Sequence, residues 1–368
     1  MIQYTKNFKR TSHQMKKTGT IGLAFTFAGC FLGAGYLSGK ELWQYFGSYG
    51  LFGIVGLIFA LAIQLVFGIL LLRLSEMTGS SRLDELIIRW KNPFLREIAG
   101  GVSLFFMFGI FVIMSAGAGS LLNRVTGLSS TIACALFCAI VALLACTGVG
   151  GMIKVFSFIV PILAAVCVAT GVIQLFSGSS MHIDSTSQNP LLGGWPSSAI
   201  NYAAYNLFGT IGILAPLAAR LKNRKTTVFG VAAGSVLLLV IALAIILAMF
   251  TSPKTGDFDL PMLELSLGLS SILGMSYAVL LFFGMLGTSV SSLVACTEYL
   301  GARSPLLKNR RIIVTFVLGI AAFSGSLAGF GQLVSIVYPI CGYLGIAALA
   351  LITEHYIHIK RASKKTDV

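Results

Sequence analysis

Three stretches of this chain set glycine or hydroxyl side chains inside long apolar runs, a combination suited to holding ions and small solutes. The first runs Ala28-Gly29-Cys30-Phe31-Leu32-Gly33-Ala34-Gly35-Tyr36-Leu37-Ser38-Gly39. Its four glycines, near the middle of one apolar run, predict an unwound point. Carbonyls freed there can coordinate a cation, and N–H groups freed where the helix restarts can hold an anion such as a carboxylate. A close helix crossing of the small-xxx-small kind would use Gly29 and Gly33 equally well. The second stretch, Asn201 to Gly212 followed by Pro216, carries Tyr205, Asn206, Gly209 and Thr210 and predicts another interruption near mid-span. The third is Gly287-Thr288-Ser289-Val290-Ser291-Ser292. Thr288 shares a helix face with Ser291 and with Ser292, and hydroxyls suit a hard cation such as Na⁺. Bonding back to their own helix is the other fate open to them.

Ionisable side chains are scarce within these runs: Lys40, Glu41 and Glu298. Lys40 and Glu41 are adjacent, so on a helix they diverge. Both are compatible with an interfacial position, and Glu41 is also a candidate coupling residue. Glu298 is expected to pair with a nearby Arg. No H-E-x-x-H motif and no aspartate pair lies inside a span, and His13, His182, His355 and His358 fall outside spans or at their ends. All seven cysteines sit in apolar segments without metal-ligand spacing, as small packing residues do. Enzyme chemistry, a cofactor and any metal beyond Na⁺ are therefore not expected.

The elements that must position these residues are membrane helices. The chain has 368 residues, 56% hydrophobic and only 10% charged, against about 25% charged in a soluble domain. Ten stretches reach the roughly 20 apolar residues a crossing needs: 19–46, 51–75, 96–122, 129–148, 154–176, 196–220, 226–250, 269–300, 311–328 and 331–355. With the N-terminus in the cytoplasm, Lys and Arg gather in alternate connections and at both ends. The exceptions are Arg124 and Lys254 outside and Lys40 within segment 1. That pattern places both termini in the cytoplasm. It also assigns the net charge of +14 to membrane sidedness rather than to nucleic-acid binding. The expected organisation is a basic tail over 1–18, one integral membrane domain over 19–355 with halves at about 19–176 and 196–355, and a second basic tail over 356–368. An interfacial helix is expected over 259–267 and an amphipathic one over 81–91.

The interrupted segments are numbers 1 and 6, five apart, so a repeat relating the halves would be inverted. Ala28-Gly29-x-x-Leu32-Gly33-x-Gly35 resembles the unwound first helix of LeuT-type transporters, in the amino acid–polyamine–organocation superfamily. The stretch GAGYLSGKELWQYFGSYG, Gly33 to Gly50, is similar to one typical of YkvI-type bacterial membrane proteins. The resemblance implies an all-α, 5+5 inverted-repeat fold with helices 1 and 6 broken. It also implies a sodium ion held by the carbonyls of Gly29 and Leu32, by Thr288 and Ser289, and by the Met285 carbonyl. It places substrate contacts on Phe31, Gly33, Gly35, Tyr205, Asn206 and Gly209. Tyr36 stands where amino-acid/sodium symporters carry Asn, so a second sodium site is not carried over. The chain also lacks the additional pair of helices common in that family.

The expected function is cation-coupled secondary transport of a small organic solute, such as an amino acid, across a bacterial plasma membrane. Na⁺ is the favoured coupling ion and H⁺ the alternative. Helices 1 and 6 would rock against helices 3, 4, 8 and 9. A nutrient sensor that keeps the fold but binds solute without turnover is the competing expectation. The partners implied are the bilayer and the solute, without nucleic acid; no protein partner is indicated.

Overall fold

A computed structural model of the chain describes residues 18–80, 83–90, 92–147, 152–177, 180–183, 185–186, 188–218, 221 and 223–366. The basic tail before Thr18, and Arg82, Lys91, Asp184, Arg220 and Lys222, lie outside them. Apart from one parallel bridge between Thr18 and Leu221, the regular structure of the described residues is helical. Segment 1 becomes three pieces, α1 (Thr20–Phe31), α2 (Ala34–Leu37) and α3 (Lys40–Tyr45). Then come α4 (Leu51–Thr78), the short α5 (Leu83–Ile87), α6 (Pro93–Thr126), α7 (Ser130–Thr147) and α8 (Met152–Phe176). The second half holds α9 (Trp195–Leu217), α10 (Arg224–Phe250), the short α11 (Pro261–Leu269) and α12 (Ser271–Arg303). It ends with the short α13 (Pro305–Asn309), α14 (Arg311–Ser326) and α15 (Phe330–Thr366). Every expected span has a helical counterpart, and the two expected surface helices are α5 and α11. The last helix continues through 356–366, which composition alone sets apart as a tail.

Local chemistry explains where these helices begin and bend. Asn92 caps α6, its side-chain oxygen accepting from Phe94 N at 2.9 Å with Pro93 in the first turn. Asn223 caps α10 in the same way through Thr226 N at 2.8 Å. Such caps satisfy N–H groups that a helix start leaves orphaned. Pro339 removes one N–H inside α15 and so frees the Ser335 carbonyl one turn earlier. Asn189 supplies the missing donor at 2.8 Å. Residues with small side chains let helices approach to backbone contact: a Cβ on Gly345 of α15 would lie 2.6 Å from the Ala204 carbonyl oxygen of α9.

The helices pack in two groups. α1, α4, α9 and α10 contact one another, and so do α6, α7, α12 and α14, with α8 and α15 lying against members of both. The largest fully buried side chains are aromatic, Tyr36, Tyr45, Tyr202 and Tyr277 among them, while Phe25, Leu51, Phe52, Phe176 and Ile272 are exposed. An exposed apolar belt of this kind is a liability in water and the normal surface in lipid. Five helices are long and apolar enough to cross a membrane on their own, and α1, α7, α14 and the latter part of α8 are shorter apolar helices among them. This is a multi-pass membrane protein.

Candidate functional site

The interruption in segment 1 lies where its glycines predict it. α1 stops at Phe31, and Leu32 turns out of the helix at φ −76°, ψ 62°. Gly33 N–H then bonds to the Phe31 carbonyl at 2.8 Å instead of to Gly29 four residues back. Gly33 itself is extended, and the helix resumes at Ala34 with Leu37 N–H on the Gly33 carbonyl. The carbonyls of Gly29 and Leu32 are left without a backbone donor among the described residues. Among the described residues, no atom of another element lies within 4 Å of where a Cβ on Gly29 or Gly33 would stand. The close-crossing alternative needs a partner helix at those positions, and it fails. Gly39, at φ 84°, makes a second bend between α2 and α3 that an L side chain rarely adopts.

Segment 6 departs from expectation. α9 runs unbroken from Trp195 to Leu217 through Asn206, Gly209 and Thr210. The polar groups read as marks of a break are turned back on their own helix. Asn206 Nδ2 donates to the Tyr202 carbonyl at 3.1 Å and the Thr210 hydroxyl to Leu207 at 2.9 Å. A glycine in a helix costs only about 1 kcal/mol, too little to open it unaided. The expected broken helix 6 is therefore corrected to a continuous one. A Cβ on Gly209 would lie 2.8 Å from the Phe106 ring of α6, so this glycine is a packing contact here.

The expected hydroxyl cluster is split. Thr288 bonds back to the Gly284 carbonyl at 3.0 Å, the ordinary fate of a helical Thr. Ser289 is fully buried and its hydroxyl has no hydrogen-bond partner among the described residues. Leaving such a group unsatisfied costs about 1–3 kcal/mol, so this oxygen is available to a ligand. The Met285 side chain packs toward Gly117 of α6, leaving only its carbonyl as a ligand from that residue. α12 reaches segment 1 at α2, where the Tyr277 hydroxyl donates to the Leu37 carbonyl. Tyr36 is committed elsewhere, donating to the Leu238 carbonyl of α10 at 2.7 Å.

Lys40 and Glu41 part company at α3. Lys40 turns to the connection before α11, donating to the carbonyls of Gly256 and Phe258 at 3.0 Å each. Asp259 of the same connection accepts from the Ser120 hydroxyl of α6 at 2.6 Å and from Gly331 N at the start of α15 at 3.1 Å. Three helices are thus tied together at one end of the bundle. Replacing Asp259 by Ala is expected to loosen that end. Labelling of a cysteine introduced at Leu333 by an externally added thiol reagent should then rise, and an unchanged rate would show the tie to be unimportant.

Glu41 points the other way, into the core, and is 4% exposed. The side chain is therefore packed inside the protein rather than exposed on its surface. The Tyr205 hydroxyl of α9 donates to one carboxylate oxygen. The other lies 2.7 Å from where a Gly35 Cβ would be. Asn206 faces the same carboxylate. Tyr205 stacks on Tyr338 of α15, centroids 4.9 Å apart and planes 11° from parallel. Tyr45 donates to Asn201 at 3.1 Å, and Asn201 donates in turn to the Pro339 carbonyl at 2.9 Å. Three of the expected substrate contacts, Gly35, Tyr205 and Asn206, therefore converge on one carboxylate. Phe31 is buried at the end of α1 against Phe27. Tyr338, Asn201 and Tyr45 belong to this cluster and were not singled out by sequence. The one signal for Tyr338 is its place beside a proline inside an apolar run.

Glu298 sits in an open recess of about 530 Å³ with Lys308 and Arg311. No ion pair joins it to either of them among the described residues. No group of three or more metal-ligating side chains occurs among those residues, and the seven cysteines are free.

No family model matches the chain. Two proteins of Bacillus subtilis (strain 168) are similar over nearly its whole length. The uncharacterized membrane protein YkvI is 25% identical over 340 residues, covering 91% of this chain and 95% of YkvI. The uncharacterized protein YyaD is 24% identical over 328 residues, covering 87% and 92%. Among solved structures, MhsT in complex with L-phenylalanine superposes with a TM-score of 0.58 at 16% identity, covering 92% of this chain and 89% of MhsT. An outward-open, substrate-bound Na⁺-coupled sialic acid symporter gives 0.58 at 14%, covering 94% and 82%. The Eremococcus coleocola manganese transporter gives 0.52 at 15%, covering 91% and 85%. The last two are transport proteins by name. The chain has the LeuT-type transporter fold and is homologous to the membrane protein YkvI and to the protein YyaD.

Proposed function

We propose that this protein is a cation-coupled secondary transporter of a small organic solute, working by alternating access, with Na⁺ the favoured coupling ion. The observation that carries the reading is the interruption at Leu32 and Gly33, which frees two carbonyls beside open space inside a transporter fold. Na⁺ would be held by the carbonyls of Gly29, Leu32 and Met285 with the hydroxyls of Thr288 and Ser289. The orphaned Ser289 oxygen fits that role. So does depth in the bundle. Segments 1 and 8 are an odd number of crossings apart and so run antiparallel, and they meet where Tyr277 touches Leu37. From Tyr277 to Ser289 along α12 is about 18 Å. From Leu37 back to Gly29, with the two residues at the break extended, is about 15 Å.

Helix packing supports a 5+5 inverted repeat. Exchanging each segment for the one five places away converts the contact α1–α10 into α9–α4. It converts α6–α7 into α12–α14, and α7–α12 into α14–α6. It likewise converts α8–α10 into α15–α4 and α8–α12 into α15–α6, and each partner contact is present. Two halves built alike would pack in this way. The group α6, α7, α12 and α14 is the natural scaffold, with segments 1 and 6 moving against it and both termini in the cytoplasm. Phe31, Gly33, Gly35, Tyr205 and Asn206 remain the proposed solute contacts, whereas Gly209 is packed against Phe106. Coupling then rests on ion and solute binding one state more tightly than the other.

Uptake into proteoliposomes from a mixed pool of amino acids and other small solutes, read by mass spectrometry, tests this. It is run with an inward Na⁺ gradient, with a proton gradient and with neither. Accumulation of one solute under a gradient is the expected result. Binding without accumulation would replace the transporter by a sensor.

A further inference from the structure

We infer that Glu41 is a proton-binding site that locks α3 onto α9 and α15, so that proton occupancy controls the position of the second half of segment 1. The inference rests on the transporter reading for its purpose but on geometry for its content.

Glu41 is buried at a three-helix junction. It belongs to α3, its carboxylate is bonded to Tyr205 of α9, and Tyr205 is stacked on Tyr338 of α15. Burying an unpaired carboxylate is costly, and such groups are paired or neutralised. The charged and titratable groups around it supply no cation. Tyr36 of α2 is bonded to the Leu238 carbonyl of α10. From α9 come Tyr202 and Tyr205, from α3 itself Tyr45, and from α15 Tyr338 and Cys341 beside it. Lys40, the neighbour in sequence, is turned to the connection that holds Asp257 and Asp259. No Lys, Arg or His among the described residues faces the carboxylate. Free phenols and thiols ionise only at about 8.5–10, so the carboxyl is the most acidic group type of this cluster and the one whose charge has to be neutralised.

An external cation must therefore neutralise it, and space decides which. The Tyr205 and Tyr338 rings are in parallel contact at 4.9 Å, and Tyr45 and Tyr202 lie 5.5–5.7 Å from Tyr205. One carboxylate oxygen rests on Gly35. These contacts crowd the carboxylate, and a proton is the cation that needs no space of its own. The step is simple: the carboxylate takes one proton from water and becomes a neutral carboxyl that still accepts from Tyr205. Losing the proton restores a charge that needs water or a cation. Glu41 is only 4% exposed, and separation of α3 from α9 and α15 would open it to water. Gly39, at the bend between α2 and α3, is a hinge for that separation.

The test uses the full-length protein in vesicles of phosphatidylethanolamine and phosphatidylglycerol. Infrared difference spectra are recorded as pH is raised, alongside hydrogen–deuterium exchange of peptides covering 34–49, 198–206 and 335–341. The wild type should lose a protonated-carboxyl band and open those peptides beyond the intrinsic pH effect on exchange. Glu41→Gln should abolish both responses, Glu41→Asp should restore a carboxyl band, and Glu298→Gln should behave as wild type. A band that survives Glu41→Gln, or peptides that still open with pH in that variant, would overturn the proposal. Re-closure at alkaline pH by tetramethylammonium would also overturn it, in favour of an organic cation. The two readings fail separately. A Glu41-dependent band with no accumulation of any solute would remove the transporter and keep the proton site. Na⁺-driven accumulation without such a band would do the reverse.

Discussion

Changing Thr288 and Ser289 together to alanine is expected to abolish the effect of sodium on this protein while leaving it folded. Each hydroxyl offered to a cation contributes about 1.5–3 kcal/mol. Losing both should weaken Na⁺ by about two to four orders of magnitude. Most substitutions in a buried helix lower function by lowering stability, and here the two effects should part. The Ser289 hydroxyl is buried without a partner among the described residues, so removing it relieves an unsatisfied group. The Thr288 hydroxyl only bonds back to Gly284, and alanine is the better helix former. The melting temperature in potassium should therefore stay level or rise. In the wild type, replacing potassium by sodium should raise it, because a ligand that binds only the folded state stabilises by mass action. In the double variant that rise should vanish. A sodium-induced shift of wild-type size in the variant would show that the ion, if bound, sits elsewhere.

The parts of this molecule legible in its sequence are those governed by one-dimensional patterns. Spans follow from apolar length, which is why α4, α10 and α12 lie close to their expected bounds. The break at Leu32 was legible because glycines supply no packing to hold a helix against the pull of its neighbours. What could not be read depends on which way a side chain turns after a bend. Lys40 and Glu41 are adjacent and both charged, yet one serves the connection before α11 and the other the core. Their separation depends on the Gly39 bend and on tyrosines from segments 6 and 10. Segment 6 misled for a related reason. Asn206 and Thr210 announce polarity at depth, but whether polarity means a break or a bond to the preceding turn depends on a rotamer that sequence does not state.

Two glycine substitutions should move stability in opposite directions. They also test whether helix 6 must open during the working cycle. Gly345→Val places a Cβ 2.6 Å from the Ala204 carbonyl oxygen and 3.2 Å from the Tyr205 nitrogen. These are backbone atoms of α9 and cannot rotate aside. α15 has to move off α9 at the level where Tyr205 meets Tyr338, so both the packing and the Glu41 cluster suffer. Overpacking of this kind costs about 1–3 kcal/mol, and a clear fall in melting temperature should follow. Gly212→Ala is the opposite case. Nothing lies within 4 Å of the new Cβ, the residue faces outward, and α9 is helical there. Alanine in place of glycine should stabilise such a helix by about 0.5–1 kcal/mol. If α9 stays continuous throughout the cycle, uptake by Gly212→Ala should match wild type while stability rises. If segment 6 has to unwind near Gly209 and Gly212, the same gain in helix stability opposes the opening, and uptake should fall as the melting temperature climbs. A thermal scan and an uptake assay on this one variant therefore separate a rigid sixth helix from one that opens only in another state.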